Sequence, residues 1–138
     1  MGVSSKNSKF RKAFALVIIL VAALVAAYLS VAYPKVVVDF SVSFTIGADV
    51  KMVEFEVPFL HEHVKVEVYV RSGSAVWTAK IIGSNGVLWS HTASQGGQTT
   101  YTSGWMKIIS GRYNFSFATV GIGSLEAQIK LTSKGVFW

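Results

Sequence analysis

The chain has 138 residues, 13 Lys and Arg against 7 Asp and Glu, a net charge of +6 and no cysteine. That length holds one modest domain beyond a membrane-length segment, and the missing cysteines exclude disulfides and thiolate metal sites. A hydrophobic fraction of 51% suits one span plus a folded core and gives no indication of several spans. The charge is unevenly placed. Lys6, Lys9, Arg11 and Lys12 precede every acidic residue, and the rest of the chain is near +2. No basic face or nucleic-acid motif accompanies them, so nucleic acid is not expected as a partner.

Residues 1–12 read as a basic cytoplasmic tail, irregular or lying along lipid head groups. A basic cluster beside an apolar segment is the positive-inside signal, and Lys9, Arg11 and Lys12 are candidates for contact with anionic lipid. Residues 13–33, AFALVIILVAALVAAYLSVAY, contain no charge, Gly or Pro, and Ser30 is their one clearly polar residue. As a helix, this stretch reaches ~31 Å at ~1.5 Å per residue, the thickness of a bilayer's hydrocarbon core. It exceeds the apolar region of a signal peptide, and Ala27-Tyr28-Leu29 and Val31-Ala32-Tyr33 are poor cleavage sites. The segment is therefore expected to be a transmembrane anchor, with Tyr28 and Tyr33 at its outer interface. Pro34 ends the helix.

From Lys35 the apolar period drops to two, which predicts strands for residues 35–138. Val36, Val38, Phe40, Val42, Phe44 and Ile46 alternate with mostly polar residues, and Gly47-Ala48-Asp49 turns the chain. Val53, Phe55 and Val57 form a second strand closed by Pro58. A polar loop through His61-Glu62-His63 leads to Val64, Val66, Val68 and Val70. Ala75 to Ile82 is a fourth strand, with Trp77, Ala79 and Ile81 on one face. Ser84-Asn85-Gly86 signals a hairpin with a type I′ turn, and its return strand is Val87 to His91. Thr92 to Thr100, containing Gly96-Gly97, reads as an exposed loop. Trp105 to Ile109 is a short strand. Tyr113, Phe115 and Phe117 alternate in the next strand, then Leu125, Ala127, Ile129 and Leu131 after Gly121-Ile122-Gly123. About eight strands at this spacing predict an extracytoplasmic antiparallel sandwich, jelly-roll or Ig-like.

Little catalytic chemistry is visible. There is no nucleophile elbow, phosphate loop or dinucleotide fingerprint, so the chain reads as a non-enzyme without a cofactor. His61 and His63 are weak metal-ligand candidates, joined by His91 or a carboxylate if the segment is extended. Trp89, Tyr101 and Trp105 are candidate contacts for a glycan or a protein partner, whereas Trp77 reads as core. Asn114-Phe115-Ser116 is an N-glycosylation acceptor.

Two resemblances bear on function. Lys12-Ala13-Phe14-Ala15 before an apolar helix resembles the leader-processing site of archaeal type IV pilins and archaellins. That likeness implies cleavage between Ala13 and Phe14 and self-assembly into a filament. The run W-x-K-I-I-x-G-R-Y-N-F-S-F from Trp105 resembles the closing strands of jelly-roll modules such as carbohydrate-binding and Golgi-dynamics domains. The expected function is a membrane-anchored structural or accessory subunit, with membrane lipids and protein partners or further copies of itself around it. A pilin-like subunit and a glycan-binding surface module are the alternatives.

Overall fold

The computed structural model describes residues 2–45, 49–94, 98–120 and 123–138, with residues 2–7 as backbone alone. Helix α1 (Gly2–Val31) is followed by β1 (Lys35–Phe44), β2 (Asp49–Val57), β3 (His63–Gly73), β4 (Val76–Gly83) and β5 (Gly86–Ser94). Then come β6 (Thr99–Thr102), β7 (Met106–Lys107), β8 (Gly111–Val120) and β9 (Leu125–Lys134). The helix starts earlier than expected: residues 2–12 continue it rather than forming an irregular tail, since no helix breaker occurs before Pro34. Ser8–Val31 is long and apolar enough to cross a membrane; it is exposed as far as Ala27, and Tyr28 and Leu29 are half-buried. Ala32 and Tyr33 bend, Pro34 follows, and β1 begins at once.

The strands form two antiparallel sheets. One has the order β1-β9-β3-β6, with β7 also paired to β3; the other has the order β2-β8-β4-β5. The first strand thus pairs with the last and β2 with β8, while β3 pairs with β6 and β4 with β5. This nested order is that of a jelly roll, which decides between the two sandwich types the alternation allowed. It also divides the strand ends into two groups. The start of β1, the end of β2, the start of β3 and the end of β9 lie at the end where the helix enters. The β4–β5 turn and the start of β8 lie there too.

The core lies between the sheets. Val38, Val42 and Phe44 of β1, Val64 to Val70 of β3 at every second residue, and Leu125 to Leu131 of β9 line one side. Phe55 and Val57 of β2, Trp77, Ala79 and Ile81 of β4, and Phe115 and Phe117 of β8 line the other. A valine-rich sheet thus faces an aromatic one, and large and small side chains interdigitate. Phe117 stacks on Trp77 at 5.5 Å and on Phe44 at 6.3 Å between ring centroids.

Several local expectations change. Val36 is exposed rather than inward, because a bulge between Val36 and Val38 adds a residue to β1 and reverses the alternation there. The Ser84-Asn85 hairpin forms, but not as a type I′ turn. Asn85 keeps negative φ, Gly86 carries φ +117°, and the ladder slips by one residue between Ile81 and Ile82. The described residues of the expected polar loop at 92–100 are mostly strand: β5 runs on to Ser94, and β6 begins at Thr99. The strand expected over Trp105–Ile109 shrinks to Met106–Lys107. Ile46 and the turns at Gly47-Ala48, Gly96-Gly97 and Gly121-Ile122 lie outside the described residues.

Replacing Trp77, which is fully buried, by Ala is expected to lower unfolding free energy by about 3–5 kcal/mol. Replacing the exposed Ser90 by Ala is expected to change it by less than about 0.5 kcal/mol. Thermal denaturation followed by circular dichroism measures both.

Candidate functional site: the helix–sandwich junction

A helix leaves its last carbonyls without intrahelical donors. In α1 that deficit is met largely by the sandwich. Tyr28 O accepts from Ala32 N at 2.8 Å, within the last turn. Leu29 O accepts from the Trp138 indole Nε1 at 2.8 Å, and Val31 O lies 2.7 Å from His61 Nε2. Ala32 O accepts from Gly135 N at 2.9 Å. Two segments far apart in sequence, residues 58–61 and 133–138, converge on one helix end.

His61 is the pivot. The loop after β2 turns through Leu60, the one non-glycine described with positive φ (69°), and His61 N donates back to Pro58 O at 3.0 Å. A bulky residue in that conformation is strained by about 1–3 kcal/mol and persists only where its surroundings hold it. The turn sends the His61 ring inward, where it is 2% exposed. Its Nδ1 lies 2.7 Å from Ser133 Oγ of β9. Because the Val31 carbonyl can only accept, Nε2 carries a proton; in the neutral ring Nδ1 then accepts from the Ser133 hydroxyl. The expected loop at His61 is present, but its polar side chain is buried rather than facing solvent.

The C-terminal residues close around the same point. Gly135 is buried, and a Cβ there would stand 2.3 Å from Ala32 Cβ and 3.0 Å from the Tyr28 hydroxyl, so only glycine allows the approach. Phe137 packs edge-on to Tyr28, and Trp138 edge-on to Tyr33 at 5.0 Å. Lys134 Nζ donates to Trp138 O and lies 4.5 Å from the Trp105 ring centroid, while Lys65 Nζ lies 4.8 Å from it. Tyr28 and Tyr33 were expected at the interface from their position near the end of the apolar stretch. The parts played by His61, Ser133, Gly135 and Trp138 carry no local motif, because each depends on contacts at least 30 residues away in the chain.

The other candidate residues are dispersed. His63 begins β3 between Lys107 and Lys134, and its Nδ1 is buried without a hydrogen-bond partner. Among the described residues no three His, Cys, Asp or Glu side chains converge as metal ligands. Trp89 and Tyr101 pack against the core at the open edge between β5 and β6. Tyr101 thus sits in a strand, not in the polar loop. Its ring stacks on His91 at 4.0 Å and lies 6.4 Å from Trp89, and burial raises its phenol pKa. The adjoining groove, of about 280 Å³, is lined by Ile81, Leu88, Trp89, Met106 and Ile108 with few polar groups. Its polar lining residues are Lys107 and Tyr113, whose hydroxyl donates to Ile109 O. Asn114 is exposed on the outer face of β8, between Glu54 of β2 and Ile82 of β4. Lys9, Arg11, Lys12, Ala13 and Phe14 are exposed on the helix.

No protein-family model and no curated protein matches the sequence. Among solved structures, the chain is similar to PirA at 16% identity, covering 66% of this chain and 90% of that one, with a TM-score of 0.46. It is similar to a carbohydrate-binding module from Cellvibrio mixtus lichenase 5A in complex with cellotriose, at 17% identity over 74% and 86% of the two chains, TM-score 0.45. Bacillus endospore appendages, described as disulfide-linked pili, match at 12% identity over 74% and 90%, TM-score 0.40. The strand order of the chain itself, rather than these distant likenesses, assigns the fold.

Replacing His61 by Ala leaves a buried carbonyl and hydroxyl without their partner. That change is expected to cost about 1–3 kcal/mol and to speed hydrogen exchange at the Ala32 and Gly135 amides. Exchange measured by NMR on the detergent-solubilised full chain checks this, with the amides of the β3–β9 ladder as internal reference.

Proposed function

We propose that this chain is a non-catalytic, membrane-anchored surface protein. Its jelly-roll domain acts as a structural or accessory subunit of a membrane or envelope assembly. In this reading α1 spans the bilayer, the basic cluster Lys9, Arg11 and Lys12 stays in the cytoplasm, and the sandwich lies outside. The observation that carries the proposal is the junction. Only Ala32, Tyr33 and Pro34 separate helix from β1, and the helix end is capped by His61, Gly135 and Trp138. A receptor that searches for distant ligands benefits from a flexible linker. A domain locked to its anchor presents fixed faces at a fixed height, which suits packing against neighbours. The same caps argue against removal of the helix by cleavage beyond Ala32, which would strip His61 Nε2 and the Gly135 amide of their acceptors.

The intact mass of the protein isolated from its native membrane tests the reading. A mass that includes the whole of α1, with retention in the membrane after alkaline extraction, is expected. A mass beginning at Phe14 would instead support the pilin-like filament subunit, and one lacking α1 would overturn both. Added mass on Asn114 would mark the sandwich as extracytoplasmic.

A further inference from the structure

The exposed apolar side chains of the sandwich are unevenly distributed. Among the described residues after the helix, the large ones gather at the end where the helix enters, apart from Val50, Met52 and Val120 on the outer face of the β2-β8-β4-β5 sheet. Three of them project furthest. Phe59 in the β2–β3 loop is 75% exposed, Ile109 before β8 is 79% and Phe137 in the C-terminal tail is 77%. These come from three separate segments of the chain, yet all border the junction. Phe59 and Ile109 line one groove of about 230 Å³ whose wall includes His61, the residue bonded to the helix end. Ile108 and Ile109 continue that groove into the apolar one beside Leu88 and Trp89.

An apolar patch of this kind on a water-soluble domain marks a surface that is covered in use. Here its occupant is set by continuity with the helix. Helix α1 leaves the sandwich from this end, beside the start of the edge strand β1, and is itself exposed along its apolar length as far as Ala27. If α1 spans a bilayer, the same end of the sandwich must face that bilayer, because the bonded junction leaves no linker to turn it away. We infer that the helix-proximal rim of the sandwich is a second membrane contact, in which Phe59, Ile109 and Phe137 insert among the lipid head groups around the anchor. Aromatic and aliphatic side chains at that depth bury apolar surface while neighbouring polar groups stay hydrated. Glu62 and Lys107, exposed on the same end, limit the insertion to the head-group level. The inference rests on the proposal that α1 spans, and deepens it by assigning lipid as the partner of this face.

Because the chain has no cysteine, single cysteines carry spin labels without ambiguity. Phe59→Cys, Ile109→Cys and Phe137→Cys are compared with Leu20→Cys in the helix and Met52→Cys on the outer sheet face. Each is made in the full chain, and all these positions are exposed, so folding is retained and is checked by thermal denaturation. The labelled proteins are reconstituted in phosphatidylcholine–phosphatidylglycerol vesicles, and electron paramagnetic resonance measures collisions with oxygen and with a water-soluble nickel chelate. The ratio of oxygen to nickel collisions is expected to be highest at 20, intermediate at 59, 109 and 137, and lowest at 52. A label at 20 in lipid with 59, 109 and 137 matching 52 would overturn the rim contact and leave the span standing. Labels at 59 and 109 shielded from both reagents would assign the rim to a second copy of the chain, also against the inference. A label at 20 in water would remove the span itself.

Discussion

Everything distinctive in this molecule follows from one requirement: the carbonyls at the end of α1 need donors. A helix that stops in water can leave them to solvent, and one that stops against a folded domain cannot. The chain meets the need with an imidazole, an indole and a backbone amide drawn from two distant segments. Because each donor belongs to the sandwich, satisfying the helix end also fixes the direction in which the helix leaves. The strained turn at Leu60 and the glycine at 135 are the local conformations that this arrangement demands.

The jelly-roll order is what makes the convergence feasible. Pairing the first strand with the last brings the C-terminus back to the point where β1 begins, so residues 133–138 meet the helix end directly. The neighbouring β3 starts at the same level, which brings His61 beside Ser133. A sandwich whose last strand ended at the far side would leave the helix end without the Gly135 and Trp138 caps and the His61 ring without Ser133. Anchor geometry is thus a consequence of sheet topology, and the apolar rim around the helix exit is a consequence of which loops that topology gathers there.

Much of the architecture was legible in the residues. The run from Ala13 to Tyr33 announces a bilayer-length helix by length and composition, and the alternation of Val64, Val66, Val68 and Val70 announces a half-buried strand. Such signals are local, so tertiary context rarely overrides them. The misreadings arose where a local rule met a non-local demand. Val36 breaks the period because a bulge re-aims the start of β1 beside the helix. Ser84-Asn85-Gly86 turns with a bulge rather than the type I′ geometry its composition suggests. Thr99, Thr100 and Tyr101 look like loop and are strand, because the open edge of β3 supplies hydrogen bonds that their own composition does not invite.

His61 marks the boundary between the two kinds of information. By itself the triplet His61-Glu62-His63 is a polar segment with two metal-ligand-like side chains, and its neighbours in sequence give no reason to bury one of them. Only the fold places a helix carbonyl and the Ser133 hydroxyl on opposite sides of that ring. The sequence alone determined the apolar helix, the β-rich remainder and the absence of any cysteine or catalytic motif, because those are properties of short windows and of composition. The tertiary structure decided the strand order, the capped junction and the apolar rim at the helix exit. Each of these is a meeting of segments tens of residues apart, and no short-range pattern encodes which distant partner will satisfy a given polar group.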